Sequence, residues 1–226
     1  MDSPAHAAVI LAAGRSSRMG TTKALLPWGS RCLLAAWVAR FAEVGASPIA
    51  VVLGADAEFV RASASPDLPE GVEVLWVTNP DPDGTGPRES LLLGLDALPA
   101  DRAAWFTPID VPVVDRQTLQ AIAEGWASAV AKREDEPMAA LPVVDAQRGH
   151  PVLAGPVFIA RLFQGEPGDR IDGLFEWATR RLVRVPVQAT TVLANMNSPA
   201  DYHGQAPTGE VAEPTVPPDT SGETAD

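Results

Sequence analysis

The sequence predicts an α/β domain built on a mostly parallel sheet. Short apolar runs alternate with amphipathic stretches along the chain, as in strands that are joined by crossover helices. Turn-rich segments such as Thr78–Gly86 follow the apolar runs. With 226 residues, of which 46% are hydrophobic, the chain can form one domain with a sizeable core.

The first half of the chain shows this alternation most clearly. The predicted strands are Ala7–Ala12, Pro48–Leu53, Val72–Val77 and Ala103–Thr107. The predicted helices are Arg31–Val44, Asp56–Ser63, Arg88–Leu98 and a helix from the N-cap Asp115 to about Val130. In Arg31–Val44 the apolar side chains recur on one helical face, which predicts that this helix packs on the sheet.

The second half is less regular and ends in a change of composition. The predicted strands are Met138–Pro142, Pro151–Leu153, Leu182–Val187 and Thr191–Ala194. The predicted helices are Pro156–Phe163, Ile171–Arg180 and a short helix from the N-cap Ser198 through Tyr202. After His203 apolar residues become rare, so we predict a domain over residues 1–203 and a disordered acidic tail over 204–226.

Composition excludes several classes of protein. A formal net charge of −12 argues against a nucleic-acid partner, because such a surface needs a basic face. No apolar run approaches the roughly 18 residues of a membrane helix, and the N-terminus lacks the cationic start of a signal peptide. We therefore expect a cytoplasmic protein without a membrane partner. Cys32 is the only cysteine, which excludes an intrachain disulfide.

The most informative segment is the loop that follows the first predicted strand. It combines two glycines, two serines and three cations: Gly14, Arg15, Ser16, Ser17, Arg18, Gly20 and Lys23. Free backbone amides, hydroxyls and positive charge are what a triphosphate needs. The spacing fits neither a Walker loop nor a dinucleotide fingerprint. The loop therefore predicts a nucleotide site of another type.

This loop resembles the signature L-A-A-G-x-S-x-R-M-G-x-x-K of the MobA-like nucleotidyltransferases, with every fixed position filled from Leu11 to Lys23. The resemblance implies a three-layer, Rossmann-like nucleotidyltransferase fold and Mg²⁺-dependent transfer of a nucleoside monophosphate from an NTP to a phosphorylated acceptor. It implies catalytic roles for Lys23, near the α-phosphate, and for Arg18, on the β- and γ-phosphates. The nucleotide-binding residues that it implies here are Leu11, Ala12, Ala13, Gly14, Arg15, Ser16, Ser17 and Gly20.

Polar residues also follow other predicted strands, independently of the motif. Asn79 follows the third strand, Asp110 the fourth, and Asn195 and Asn197 the last. In an open α/β sheet the carboxyl ends of the strands meet at one edge, where ligands bind. Asp110, between two prolines, is a candidate for holding Mg²⁺ and so a catalytic residue. The alternative is an Asp that makes local hydrogen bonds only.

Two of these segments extend the resemblance. Asn195–Tyr202 resembles the closing motif N-x-N-T-P-E-D of the family, which implies that Asn197 is a second metal ligand; an Asx turn is the alternative. Asn79 and Ser90 resemble the N-P-D-x-x-x-G-x-x-x-S-L element that frames the nucleotide base, although Asn79 could also be a plain turn residue.

Gly149–Leu153 resembles the G-H-P-V-L element of the molybdenum cofactor cytidylyltransferase branch, which implies that His150 binds the acceptor; a packed histidine at a strand edge is the alternative. The leading prediction is thus transfer from CTP to a phosphorylated acceptor such as molybdopterin. A guanylyltransferase that uses GTP, or a sugar- or polyol-phosphate nucleotidyltransferase, is the second. A non-catalytic nucleotide-binding module is the third.

Overall fold

A mixed, mostly parallel sheet forms the centre of the structure. The computed structural model describes residues 6–14, 22–132, 136–166 and 169–207. The strands are β1 (Ala7–Ala12), β2 (Pro27–Trp28), β3 (Arg31–Cys32), β4 (Ile49–Leu53), β5 (Val74–Thr78), β6 (Ala104–Pro108), β7 (Ala139–Val144), β8 (Gln147–Arg148), β9 (Val152–Ala154) and β10 (Leu182–Pro186).

The order of the main sheet is β10-β7-β9-β6-β1-β4-β5, with β8 paired to β7, while β2 and β3 form a separate hairpin. β1 runs parallel to both neighbours, with Ala8 opposite Ile49 of β4 and Trp105 of β6. β9 is antiparallel to β6 and β7. The carboxyl ends of β1, β4, β5 and β6 therefore lie together at one edge of the sheet.

Helices cover both faces of the sheet. They are α1 (Leu33–Ala42), α2 (Ala57–Ala64), α3 (Pro87–Asp96), α4 (Arg116–Lys132), α5 (Pro156–Phe163), α6 (Ile171–Trp177) and α7 (Pro199–Gln205). One core cluster joins the sheet to α1, α2, α4 and α7, and a second joins its other face to α3, α5 and α6. This arrangement confirms the predicted three-layer α/β fold. Within the described residues, no helix has both the length and the apolar character to cross a membrane.

The predicted bounds agree closely with the structure in most elements, and exactly for Ala7–Ala12 and Pro156–Phe163. One predicted strand, Thr191–Ala194, is wrong: a 3₁₀ helix occupies Thr190–Leu193. Its backbone closes short-range bonds, including Ala194 N–H to Thr191 O at 3.1 Å, instead of pairing with the sheet. The β-branched residues of this segment favour a strand, but β10 already pairs with β7.

The N-caps are as predicted. Asp115 accepts the amide N–H of Thr118 at 2.7 Å, and Ser198 accepts that of Asp201 at 3.2 Å. α7 runs on to Gln205, beyond the predicted domain limit at 203. Residues 208–226 lie outside the described part of the chain, so the disordered tail stays a prediction.

Candidate active site

Three side chains from distant parts of the sequence meet at the carboxyl edge of the sheet. The Lys23 ammonium donates a hydrogen bond to Oδ1 of Asn197 at 2.9 Å and lies 3.3 Å from Oδ2 of Asp110. Lys23 follows the loop after β1, Asp110 follows β6, and Asn197 precedes α7. The structure thus brings together three of the four residues to which the sequence assigned catalysis or metal binding; the fourth, Arg18, lies outside the described residues.

Backbone hydrogen bonds fix the segments that carry these side chains. The amide of Ile109 donates to Leu11 O at 2.9 Å, so the end of β1 holds the chain just before Asp110. The amide of Met196 donates to Asp110 O at 2.7 Å, and the Met196 side chain is fully buried. The end of β1, the Asp110 loop and the segment before α7 are therefore linked by main-chain bonds, which hold Asp110 and Asn197 in place.

Asp201 orders the segment on which Asn197 lies. Its Oδ2 accepts the amide N–H of Asn197 at 3.0 Å and that of Ser198 at 2.8 Å, which closes the capping box of α7. Hydrogen bonds from Ser198 and from the Asn197 backbone lower the pKa of Asp201 below its ordinary value. Sequence reasoning did not single out Asp201, although the spacing from Ser198 to Asp201 is that of a capping box.

The oxygens of Asp110 and Asn197 suit a hard divalent cation. Within the described ranges, no cluster of three or more His, Cys, Asp or Glu side chains could hold a metal ion. Mg²⁺ is commonly bound through one or two carboxylates, with the other positions filled by water and substrate phosphates. A site with one carboxylate and one amide oxygen fits Mg²⁺ that arrives with a phosphorylated ligand.

The start of the loop after β1 is fixed by a close approach between two backbones. A Cβ added at Gly54, which directly follows β4, would clash with the carbonyl oxygen of Ala13. Only glycine allows this packing, which sets the direction in which Ala13 and Gly14 leave the sheet. Sequence reasoning missed Gly54, although a glycine directly after a buried strand is a known signal of close approach. Five predicted site residues lie outside the described residues: Arg15, Ser16, Ser17, Arg18 and Gly20.

Asn79 and Ser90 brace the loop between β5 and α3. Asn79 is 2% exposed, and its side-chain amide donates to Thr85 Oγ1 at 2.8 Å and to Ser90 Oγ at 3.0 Å. Its carbonyl oxygen accepts the amide of Asp81 at 2.9 Å. The structure therefore places both side chains inside the loop's own hydrogen-bond network, where they set the loop's shape.

His150 lines a cavity of about 650 Å³ beside the ends of β1 and β6. Leu11, Phe106 and Phe175 form apolar walls, and the loop before α3 and the start of α6 supply polar groups. Burial lowers the pKa of His150, with Asp110 and Asp172 opposing that shift in part. A neutral imidazole therefore faces a cavity that is large enough for a small ligand.

The segment that carries His150 is packed against the 3₁₀ helix Thr190–Leu193. The amide of His150 donates to Val192 O at 2.9 Å, and a Cβ at Gly149 would lie 2.5 Å from that oxygen. The same 3₁₀ helix leads directly into Asn195 and Asn197. This 3₁₀ helix therefore connects the segment of His150, at the cavity, to the segment that carries Asn197.

Comparison with known sequences shows similarity to one family. Residues 8–188 match the family described as the MobA-like NTP transferase domain. The chain is 30% identical over 200 residues to a probable molybdenum cofactor guanylyltransferase from Rhodopirellula baltica, which covers 85% of this chain and 88% of that protein. It is likewise 30% identical to a molybdenum cofactor guanylyltransferase from Rhodopseudomonas palustris, covering 88% of this chain and 90% of that protein.

A second group of relatives is matched over a shorter segment. The chain is 37% identical over 120 residues to the bifunctional protein GlmU from Marinobacter nauticus. That match covers 52% of this chain and spans only 25% of the length of GlmU.

Solved structures show the same fold. A nucleotidyl transferase from Methanothermobacter superposes with a TM-score of 0.69 at 26% identity, covering 88% of this chain and 95% of that one. Rv0371c from Mycobacterium tuberculosis superposes with a TM-score of 0.71 at 23% identity, covering 91% and 99%.

Proposed function

We propose that this chain, which belongs to the family of MobA-like NTP transferases, transfers a nucleoside monophosphate from an NTP to a phosphorylated small-molecule acceptor and releases pyrophosphate. The observation that carries the proposal is the meeting of Lys23 with Asp110 and Asn197 at the carboxyl edge of the sheet. A cation and two oxygen ligands at the end of a phosphate-binding loop are the parts that such a transfer needs.

The chain's own groups act by positioning and by charge. The backbone amides of Ala13 and Gly14, with Arg18, hold the β- and γ-phosphates. Lys23 offsets the charge that develops as the bond to pyrophosphate breaks. The acceptor phosphate is already ionised at neutral pH, so no side chain needs to remove a proton from it.

Asp110 and Asn197 are the residues that would hold Mg²⁺. Their oxygens, one anionic and one neutral, both lie within 3.3 Å of the Lys23 ammonium and fit a cation that takes its other ligands from water and phosphate. When bound, the ion supplies positive charge at the reacting phosphate oxygens.

The cavity beside His150 is the proposed acceptor site. It is bounded by Phe106 and Phe175 and reaches Pro108, at the end of the strand that leads to Asp110. Because burial favours the neutral imidazole, His150 would bind the acceptor through a hydrogen bond rather than through a positive charge.

We propose molybdopterin as the acceptor and place GTP first among the nucleotides. Two relatives that are matched over most of their length are named a probable molybdenum cofactor guanylyltransferase and a molybdenum cofactor guanylyltransferase. CTP is the second candidate, because Gly149–Leu153 resembles the cytidylyl branch and His150 lies at the cavity.

The test is pyrophosphate release with Mg²⁺ and each of GTP, CTP, ATP and UTP, with and without molybdopterin. Release that depends on molybdopterin and on GTP supports the first candidate, and release with CTP alone supports the second. Binding of a nucleotide without release, under both acceptor conditions, contradicts the proposed transfer to molybdopterin. The Asp110→Asn variant serves as the blank, because it keeps the shape of the site but loses the charge.

A further inference from the structure

We propose that the Lys23 ammonium and a divalent cation exclude each other from the oxygens of Asp110 and Asn197. In the nucleotide-free protein Lys23 keeps this pair of oxygens closed to the cation. A bound triphosphate opens the pair by drawing the ammonium onto its own oxygens. The inference rests on the proposed function, because it assigns an order of binding to the same site.

The geometry of Lys23 carries the inference. Its Nζ is bonded to Oδ1 of Asn197 at 2.9 Å and pairs with Oδ2 of Asp110 at 3.3 Å. An amide has a single carbonyl oxygen, so a metal ion that uses Asn197 must approach the very atom that Lys23 occupies. Two positive charges this close repel each other strongly at the low effective dielectric of a site where Lys23 is 12% exposed.

The backbone segments that carry these two oxygens are fixed by hydrogen bonds. Asp110 is held by the amide of Met196 on its own carbonyl, and Asn197 is held by Asp201. Lys23 is different. Its backbone starts the short 3₁₀ helix Lys23–Leu25, whose other residues are buried, but its side chain is a flexible four-carbon stem. The ammonium is therefore the part that can leave while the rest stays.

A bound triphosphate offers new ligands both to the divalent cation and to the Lys23 ammonium. Two protein oxygens leave most of the coordination sphere of Mg²⁺ to water, which gives weak binding. Phosphate oxygens add ligands for the ion and offer Lys23 a stronger anionic partner than one shared carboxylate. The cation is thus expected to enter with the nucleotide rather than before it.

Because the chain has two lysines, the displacement of Lys23 by a cation can be tested directly on the unaltered protein. Lys23 and Lys132 are the chain's two lysines, and Lys132 is an exposed residue at the end of α4, which makes it an internal reference. The measurement is limited acetylation of the amines, with the ratio of labelled Lys23 to labelled Lys132 read by peptide mass spectrometry at matched ionic strength. Saturating Mg²⁺ without nucleotide is expected to raise this ratio severalfold, because the displaced ammonium becomes accessible. In Asp110→Asn this effect of Mg²⁺ should be absent.

A second measurement uses Mn²⁺ as a spin probe, again without nucleotide. Removing the competing ammonium in Lys23→Met is expected to tighten Mn²⁺ binding by about tenfold or more. Lys132→Met is the matched control, because it removes the same charge from a remote helix, and it should leave the affinity unchanged. Circular dichroism checks that each variant is folded.

The outcomes separate this inference from the proposed function. If Mn²⁺ binding needs Asp110 but neither the labelling ratio nor the affinity responds as expected, the competition is wrong while the metal site stands. If Asp110→Asn leaves Mn²⁺ binding unchanged in both the wild-type and the Lys23→Met background, the metal site itself is wrong, and the inference falls with it.

Discussion

Lys23 and Asp110 hold opposite charges at the point where the reacting phosphate is proposed to lie. Their side chains are 12% and 27% exposed, so each acts in a partly desolvated site where a charge has a larger effect than in water. We predict that Lys23→Ala or Asp110→Ala lowers turnover by about 10²–10³-fold, the usual cost of losing one such electrostatic contact. Steady-state pyrophosphate release by each variant and by the wild type measures this loss of turnover.

Lys132→Ala is the control for Lys23→Ala, because it removes an equal charge from an exposed helix end and should leave turnover unchanged. A loss of less than about threefold in both site variants, with far-ultraviolet circular dichroism unaltered, contradicts the assignment of these residues.

Asp201 makes a prediction about pH. Its pKa lies below the ordinary value of 3.8 because Ser198 and the Asn197 backbone donate hydrogen bonds to its ionised form. Because the pKa of Asp201 is lower in the folded protein, the ionised carboxylate contributes its full stabilisation when the pH is above the ordinary pKa. This stabilisation is lost as the pH falls through the lowered pKa of the folded protein. We therefore expect the difference in unfolding free energy between wild type and Asp201→Asn to be constant near neutrality and to shrink towards pH 3.

Denaturant titrations at several pH values measure that difference. Glu124→Gln, which changes an exposed side chain of α4 by the same charge, is the control and should show no comparable trend. A difference for Asp201→Asn that is the same at pH 7 and at acid pH would mean that the carboxylate does not order the Asn197 segment.

A local pattern singled out two residues that the structure then brings together. Lys23 could be predicted because it fills a spaced motif, and Asp110 because it follows a predicted strand directly. The hydrogen bond from Asn79 to Ser90 could not be found, because it depends on how the loop between β5 and α3 folds back. For the same reason, sequence alone presented Asn79 as either a turn residue or a base contact.

At the scale of elements, Gly54 couples β4 to the loop after β1. An added methyl group would need the space of the Ala13 carbonyl oxygen, so the loop must shift. We predict that Gly54→Ala lowers kcat/KM for the NTP by at least about tenfold, since small displacements of binding groups have large kinetic effects. Gly204→Ala in α7 is the matched control, because nothing lies within 4 Å of its added Cβ. Equal kinetics for the two variants would exclude the coupling.

Element boundaries were predictable where one face of the segment packs on the core. β1 and α5 match the prediction exactly, because their apolar patterns agree with their burial. Thr190–Leu193 differs, since three of its residues favour strands but its backbone closes short-range bonds instead of joining the sheet. Likewise, the antiparallel direction of β9 follows from its pairing with β6 and β7, which no local pattern encodes.

At the scale of the whole molecule, Arg88 joins α3, which lines the cavity proposed for the acceptor, to the end of α5. It lies in α3, is 6% exposed, and its guanidinium donates to Leu162 O at 2.6 Å, Gly165 O at 2.9 Å and Glu166 O at 3.1 Å. These carbonyls lie at or just beyond the C-terminal end of α5, where a positive charge also complements the helix dipole.

We predict that Arg88→Ala lowers the free energy of unfolding by about 3 kcal/mol, because three carbonyl groups, one of them on the buried residue Leu162, lose a charged donor. Arg88→Lys should recover only part of this, since an ammonium cannot reach all three carbonyls in the geometry of the planar fork. Arg170→Ala is the control: its side chain is 84% exposed and pairs with Asp172 in solvent, so its removal should cost less than about 0.5 kcal/mol. Denaturant titration gives these values. A similar loss for Arg88→Ala and Arg170→Ala would show that the link between α3 and the end of α5 does not stabilise the fold.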